Sequence, residues 1–147
     1  MYLAGITGKL PIDNLKTKKG FTENIINSKI DELVKNKLIK EDRVTLTELG
    51  RSSLRVVLAG GVFDIIHPGH IHTLNAAKAL GDVLIVVVAT DNTAVKMKKR
   101  RPLHSKEQRQ ELVNSLVMVD LCLVGQEDDI FKTVNLVKPQ IIALGYD

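Results

Sequence analysis

Cysteine occurs once in this 147-residue chain, tryptophan not at all, and aromatic residues make up only 3%. A single cysteine, Cys122, excludes an internal disulfide framework and suits a reducing cytoplasm. With so few aromatics the core must rest on Val, Ile, Leu and Ala. Long hydrophobic runs are missing too. The longest, Val83 to Ala89, falls far short of the ~20 residues of a membrane helix. No basic-then-apolar signal segment opens the chain. We therefore expect a cytoplasmic protein with no membrane association. At 44% hydrophobic and 26% charged it reads as globular, and its formal net charge of +4 is mild. Two nucleotide-binding devices are also absent. No glycine loop precedes a Lys-Ser/Thr pair, and no G-x-G-x-x-G follows the first strand, which excludes a P-loop and a standard dinucleotide site.

The chain has two halves with different patterning. Residues 1–53 hold ten Lys and Arg against seven Asp and Glu; residues 54–147 hold eleven against ten. The surplus positive charge therefore sits in the first half. There, "PIDNLKTKKG" suggests a short helix stopped by Gly20. "FTENIINSKIDELVKNKLI" places Ile25, Ile26, Ile30, Leu33, Val34 and Leu38 at helical spacing. In "RVTLTELGR", Val44 and Leu46 alternate with Thr45 and Thr47, which predicts a short strand. This segment resembles the wing and exit of winged-helix regulators. Residues 1–53 are expected to form either such a domain, with DNA as partner, or a small helical dimerisation module.

In residues 54–147 strands and helices alternate. Strands are predicted over 54–61, 82–90, 119–125 and 139–145, and helices over 68–81, 105–117 and 128–138. Pro68 sits near the start of the first helix, where its missing N–H costs nothing, and Gly81 stops it. Ser105 and Gln108 have the spacing of a capping box. The 82–90 run is apolar on both faces, as in a central parallel strand. The expected fold is α/β: a Rossmann-like, doubly wound parallel sheet preceded by a small winged-helix-like domain. Ligands of such sheets bind at the carboxyl ends of the strands, near the switch point.

That location holds "GGVFDIIHPGH", Gly60 to His70. Histidine is scarce, four residues in all, and three lie between His67 and His72. His67 precedes the helix and His70 lies one turn in, so both can face one side. The helix start offers free N–H groups and partial positive charge, and Gly69 lets an anion approach. Two imidazoles add donors, and a polyphosphate would favour their protonated form. A metal site needs at least three convergent ligands. His70 and His72, two apart on a helix, face different sides, so no metal ligands are assigned. Lys96 and Lys98 lie in a basic run, "KMKKRR", that reads as a flexible loop after the second strand. Asp64, Asp91 and Asp147 each follow a strand end and could meet substrate or a Mg²⁺ carried by a triphosphate.

"GVFDIIHPGHIHTLNAAKALGD" resembles the cytidylyltransferase-like nucleotidyltransferases, with their Gly-Thr-Phe-Asp turn and His-x-Gly-His motif. The resemblance runs from Leu54 to Asp147 and includes "HSKEQRQELVNSLVMVD" and "ALGYD". Within the family it looks most like the archaeal FAD synthetases, which adenylylate FMN, with glycerol-3-phosphate cytidylyltransferases next. It implies transfer of a nucleotidyl group from ATP or CTP to a phosphorylated small molecule, with pyrophosphate released. The implied catalytic residues are His67, His70, Lys96, Lys98 and Arg109, with Arg109 on the triphosphate. The implied nucleotide and substrate contacts are Gly60, Gly61, Val62, Phe63, Asp64, Gly69, Asp91, Gly145, Tyr146 and Asp147. Mg²⁺ would arrive with the triphosphate, no tightly bound cofactor is expected, and a homodimer is. A DNA-binding regulator that uses the second half as a nucleotide or flavin sensor is the competing reading. Two departures stand out. Val62 replaces the family's threonine, so a phosphate-contacting hydroxyl is lost. Members of the family also continue beyond the fourth strand with another strand and a helix. The resemblance therefore implies further chain, or a site completed by a partner.

Overall fold

The computed structural model describes residues 1–7, 16, 20–127 and 129–145. The chain divides into two compact units, Met1–Leu54 and Arg55–Asp147.

In the first unit, helix α1 spans Tyr2–Thr7 and helix α2 spans Glu23–Lys35. The Thr22 side chain caps α2 by accepting from the Ile25 N–H. The helix expected over 11–20 lies outside the described residues except for Lys16 and Gly20. The strand expected around Val44 to Thr47 shrinks to one antiparallel bridge, Ile39 to Leu46. Asp42 is the local cause: its carboxylate accepts from the Val44 and Thr45 amides, and Arg43 is left-handed at φ 64°. Those amides are thus bound into a turn and cannot extend a ladder. Thr47 then caps a short helix, α3, Glu48–Ser52. Gly50 lies so close to Leu38 that an added Cβ would meet its carbonyl oxygen at 1.9 Å.

The second unit is built on a four-stranded parallel sheet. Strands β1 (Val56–Gly61), β2 (Val83–Val88), β3 (Leu121–Val124) and β4 (Ile141–Ala143) lie in the order β3-β2-β1-β4. Val56 pairs with Val83, Ile85 with Leu121 and Val57 with Ile141. Helix α4 (Pro68–Ala79) links β1 to β2, and helices α5 (Asp91–Lys98) and α6 (Lys106–Asn114) link β2 to β3. Helix α7 (Ile130–Val137) returns the chain to β4 on the far side of β1. The winding direction therefore reverses at β1. The sheet is an α/β, Rossmann-like one.

Val57, Ala59, Leu84, Val86, Val88, Leu74, Ala77, Val113 and Cys122 are buried in one core cluster. Burial drives the Cys122 thiol up to about 12, the value of an inert core residue. Helix α5 is the element of the second unit that the sequence reading misses. Part of "KMKKRR", expected as a flexible loop, is helical through Lys98. Thr90 caps this helix by accepting from the Thr93 N–H, and Lys99 ends it in the left-handed region at φ 56°.

Candidate active site

Strand β1 ends in Gly60 and Gly61, at the reversal of winding. The chain then turns sharply: Phe63 has φ 53° and is 6% exposed. Its ring folds back over Gly61, where an added Cβ would lie 2.9 Å from Cε2. Gly61 thus makes room for Phe63, whose ring centroid lies 5.3 Å from that of His70. The Val62 side chain is buried, so its isopropyl group packs inward where the family has a hydroxyl.

The two histidines open α4 as a capping box, His67 as N-cap and His70 three residues on. The Gly69 N–H donates to His67 Nδ1 at 3.1 Å, and the His67 N–H donates to His70 Nδ1 at 3.3 Å. The imidazoles take the parts usually played by Ser and Glu. Their centroids are 3.9 Å apart. A ring that accepts at Nδ1 carries its hydrogen on Nε2. Each ring therefore offers an Nε2–H donor. Gly69 also makes room within the protein: an added Cβ would lie 2.9 Å from His67 Cε1. Its bareness seats the imidazole.

Asp64 is buried, and its carboxylate faces the segment before α6. Oδ1 accepts from the Leu103 and His104 amides at 2.8 and 3.1 Å, and Oδ2 accepts from Arg100 Nη1 at 2.9 Å. Burial pushes the Asp64 carboxyl up. The two amides and the Arg100 guanidinium outweigh that and hold it below the usual carboxylate range. His104, to which the sequence reading gives no role, sits 3.0 Å from the Asp64 carbonyl through Nδ1. Facing a carbonyl, that nitrogen is the donor, the opposite tautomer to His67 and His70. The only signal for its role was its place just before the Ser105 cap.

Arg109 lies on α6, whose capping box of Ser105 and Gln108 is present as expected. The resemblance puts this arginine on the triphosphate. In the structure its side chain is fully enclosed and bonded to protein. Nε donates to His104 O at 3.1 Å, and Nη1 to Val62 O at 2.7 Å and Ala89 O at 2.8 Å. Nη2 donates to Asp91 Oδ1 at 2.7 Å. Asp91 begins α5 and is tied to Arg109. Lys96 and Lys98 stand in the last turn of α5. Two apart on a helix, they start from different sides of it.

Gly60 lies at the end of β1 against β2, 3.5 Å from Val87 O by its notional Cβ. Gly145 follows β4 and comes near α4, where an added Cβ would meet Thr73 Cγ2 at 3.9 Å. Tyr146 and Asp147 lie outside the described residues. The structure thus brings Gly60, Gly61, Phe63, Asp64, His67, Gly69 and His70 together around one turn and one helix start. Among the described residues, no group of three His, Cys, Asp or Glu could hold a metal ion, and no helix is long and apolar enough to cross a membrane.

The FAD synthase of Picrophilus torridus is 56% identical over 91 residues, covering 62% of this chain and 65% of that protein. The FAD synthase of Methanosarcina barkeri is 50% identical over 91 residues, covering 62% and 64%. The match thus spans under two-thirds of each of these relatives. A solved structure, the lipopolysaccharide core biosynthesis protein from Thermoplasma volcanium GSS1, is 47% identical with a TM-score of 0.58. It covers 60% of this chain and 72% of its own. A family model described as cytidylyltransferase-like matches residues 58–147, from within β1 onward, and the chain belongs to the cytidylyltransferase-like family.

Proposed function

We propose that this protein is a nucleotidyltransferase that moves an adenylyl group from ATP to FMN and releases pyrophosphate. The observation that carries the reading is the His67–His70 capping box at the reversal of winding, with Nε2–H as the donor on each ring. An oxygen of the acceptor phosphate attacks the α-phosphorus. A new P–O bond forms, the bond from the α-phosphorus to the bridging oxygen breaks, and pyrophosphate leaves with the electron pair. The chain's own task is positioning and charge stabilisation, which is most of what phosphoryl-type transfer needs. His67 and His70 donate to oxygens whose negative charge grows in the transition state. The α4 N-terminus adds its partial positive charge.

Mg²⁺ enters as part of the nucleotide substrate. Asp64 and Asp91 are already engaged by Arg100 and Arg109. The FAD synthases among the relatives support ATP and FMN as substrates. The cytidylyltransferase-like description supports CTP as the alternative nucleotide, with glycerol 3-phosphate as the acceptor that the motif resemblance suggests. We place the protein in the cytoplasm, as a homodimer. The basic surplus of residues 1–53 supports an anionic partner such as DNA for a winged-helix-like unit.

The test is pyrophosphate release by the full chain with ATP or CTP, offered FMN or glycerol 3-phosphate. ATP with FMN should be the productive pair. Turnover with CTP and glycerol 3-phosphate alone would transfer the assignment, and binding without turnover by any pair would favour a sensor. His67→Ala and His70→Ala should each lower turnover ~100-fold or more, the scale of one lost transition-state donor. Rates near wild type in both would refute the mechanism.

A further inference from the structure

Among the described residues Arg109 is the one buried arginine, at 1% exposure. Its four acceptors come from three stretches of chain. Val62 O lies in the turn after β1, Ala89 O just past β2, Asp91 at the start of α5, and His104 O just before α6. Asp64 makes a second tie across the same gap, from the β1 turn to the Leu103 and His104 amides and to Arg100. A cation and an anion thus fasten the same two stretches, 62–64 and 100–104, from opposite ends.

We propose that Arg109 is a positioning residue: it holds the turn after β1 and the segment 100–104 in register for a triphosphate without touching it. The planar guanidinium carries five N–H groups in a fixed fork, and here it reaches four acceptors that diverge in space. Lysine has the charge but a single nitrogen with three donors, so it cannot span them. Burial also keeps the guanidinium from a ligand, because its side chain has no exposed surface. The inference rests on the nucleotidyltransferase reading for its ligand, while the pinning itself is readable in the ligand-free protein.

The experiment uses the full chain, wild type, Arg109→Lys and Arg109→Ala, with Mg·ATP as probe. In the wild-type protein the Arg109 Nε–H resonance should exchange slowly and stay in place when Mg·ATP is added. In Arg109→Lys the Leu103 and His104 amides should exchange with solvent at least tenfold faster, while amides in the middle of β2 are unchanged. Lysine should not rescue: kcat should fall on the order of 100-fold in both variants, the cost of an ångström-scale misplacement, with the KM for ATP within about threefold of wild type. Three results would overturn the proposal: an Arg109 resonance that shifts on Mg·ATP, protected amides in Arg109→Lys, or a lysine variant that recovers most of kcat. If both variants fail to fold, the wild-type resonance decides alone. A protein that shows no Mg·ATP response at any residue refutes the nucleotidyltransferase reading. The free-state exchange rate of the Arg109 Nε–H still judges the pinning.

Discussion

Gly69 shows how a single missing side chain can serve chemistry over stability. It stands in the first turn of α4, exposed, where alanine is the better helix former by roughly 1 kcal/mol. Yet an alanine Cβ would press on the His67 ring at 2.9 Å from Cε1. Gly69→Ala should therefore fold at least as well as wild type in a thermal melt, and lose tenfold or more in pyrophosphate release as His67 is displaced. Equal activity would show that the ring can shift without consequence. Asp64 behaves differently, since its carboxylate is depressed by the Leu103 and His104 amides and Arg100 against the effect of burial. A carboxyl lower in the folded than in the unfolded state contributes stability above its unfolded pKa, near 3.9. That contribution fades as pH falls through the folded value. Thermal melts between pH 7 and pH 2 should show a shallower acid limb for Asp64→Asn, from a lower starting stability at neutral pH. An unchanged limb would mean the carboxylate is not what holds the 100–104 segment. None of these roles is visible in the sequence at the residue level. The motif marks Gly69 and Asp64 as important, but their partners are neighbours in space.

At the scale of elements, legibility follows how local the cause is. Helices α4 and α6 announce themselves through Pro68 and through the Ser105–Gln108 box, because capping acts within three residues. Strands β1 and β2 do so through continuous apolar runs, buried on both faces in the structure. Helix α5 is harder to see. Its cap, Thr90, lies at the tail of the β2 run, and its lysines resemble a solvated loop. Thr90 is 5% exposed and accepts from the Thr93 N–H at 3.2 Å. Thr90→Ala should cost about 1 kcal/mol in urea unfolding, the usual loss for a cap. Its effect should centre on α5, seen as faster amide exchange over 91–98. Arg109 defeats sequence reading for the opposite reason. Its acceptors Val62 O and Ala89 O are 47 and 20 positions away, and no local pattern reports such closure. The bridge at Ile39 and Leu46 is a third case, where alternation predicts a strand and the Asp42 turn cuts it to one pair.

At the scale of the whole molecule the chemistry and the surplus charge lie in different units. Residues 54–147 hold all four histidines and a nearly balanced charge, while residues 1–53 carry the excess of Lys and Arg. Three of those cations are paired with acidic neighbours. Lys16 pairs with Glu23 at 3.4 Å, Lys29 with Glu32 at 3.0 Å and Arg43 with Asp31 at 2.5 Å. Exposed pairs of this kind add little stability, but they do cancel field, and a nucleic acid is drawn by net field. Each phosphate neutralised adds about 0.9 to the slope of log affinity against log salt. A net surplus of only three charges, ten against seven, should mean a shallow slope. The full chain is therefore expected to bind duplex DNA weakly, with fewer than about four phosphates neutralised by that measure. Charge reversal of the acidic partners, Glu32→Lys or Asp31→Lys, should strengthen binding and steepen the slope. Fluorescence anisotropy on a labelled duplex across a salt series reads both quantities. Binding that is tight and steep in the wild type would make the first unit a true DNA reader. Variants that gain nothing would leave dimerisation as its role, to be read as a monomer–dimer shift in sedimentation.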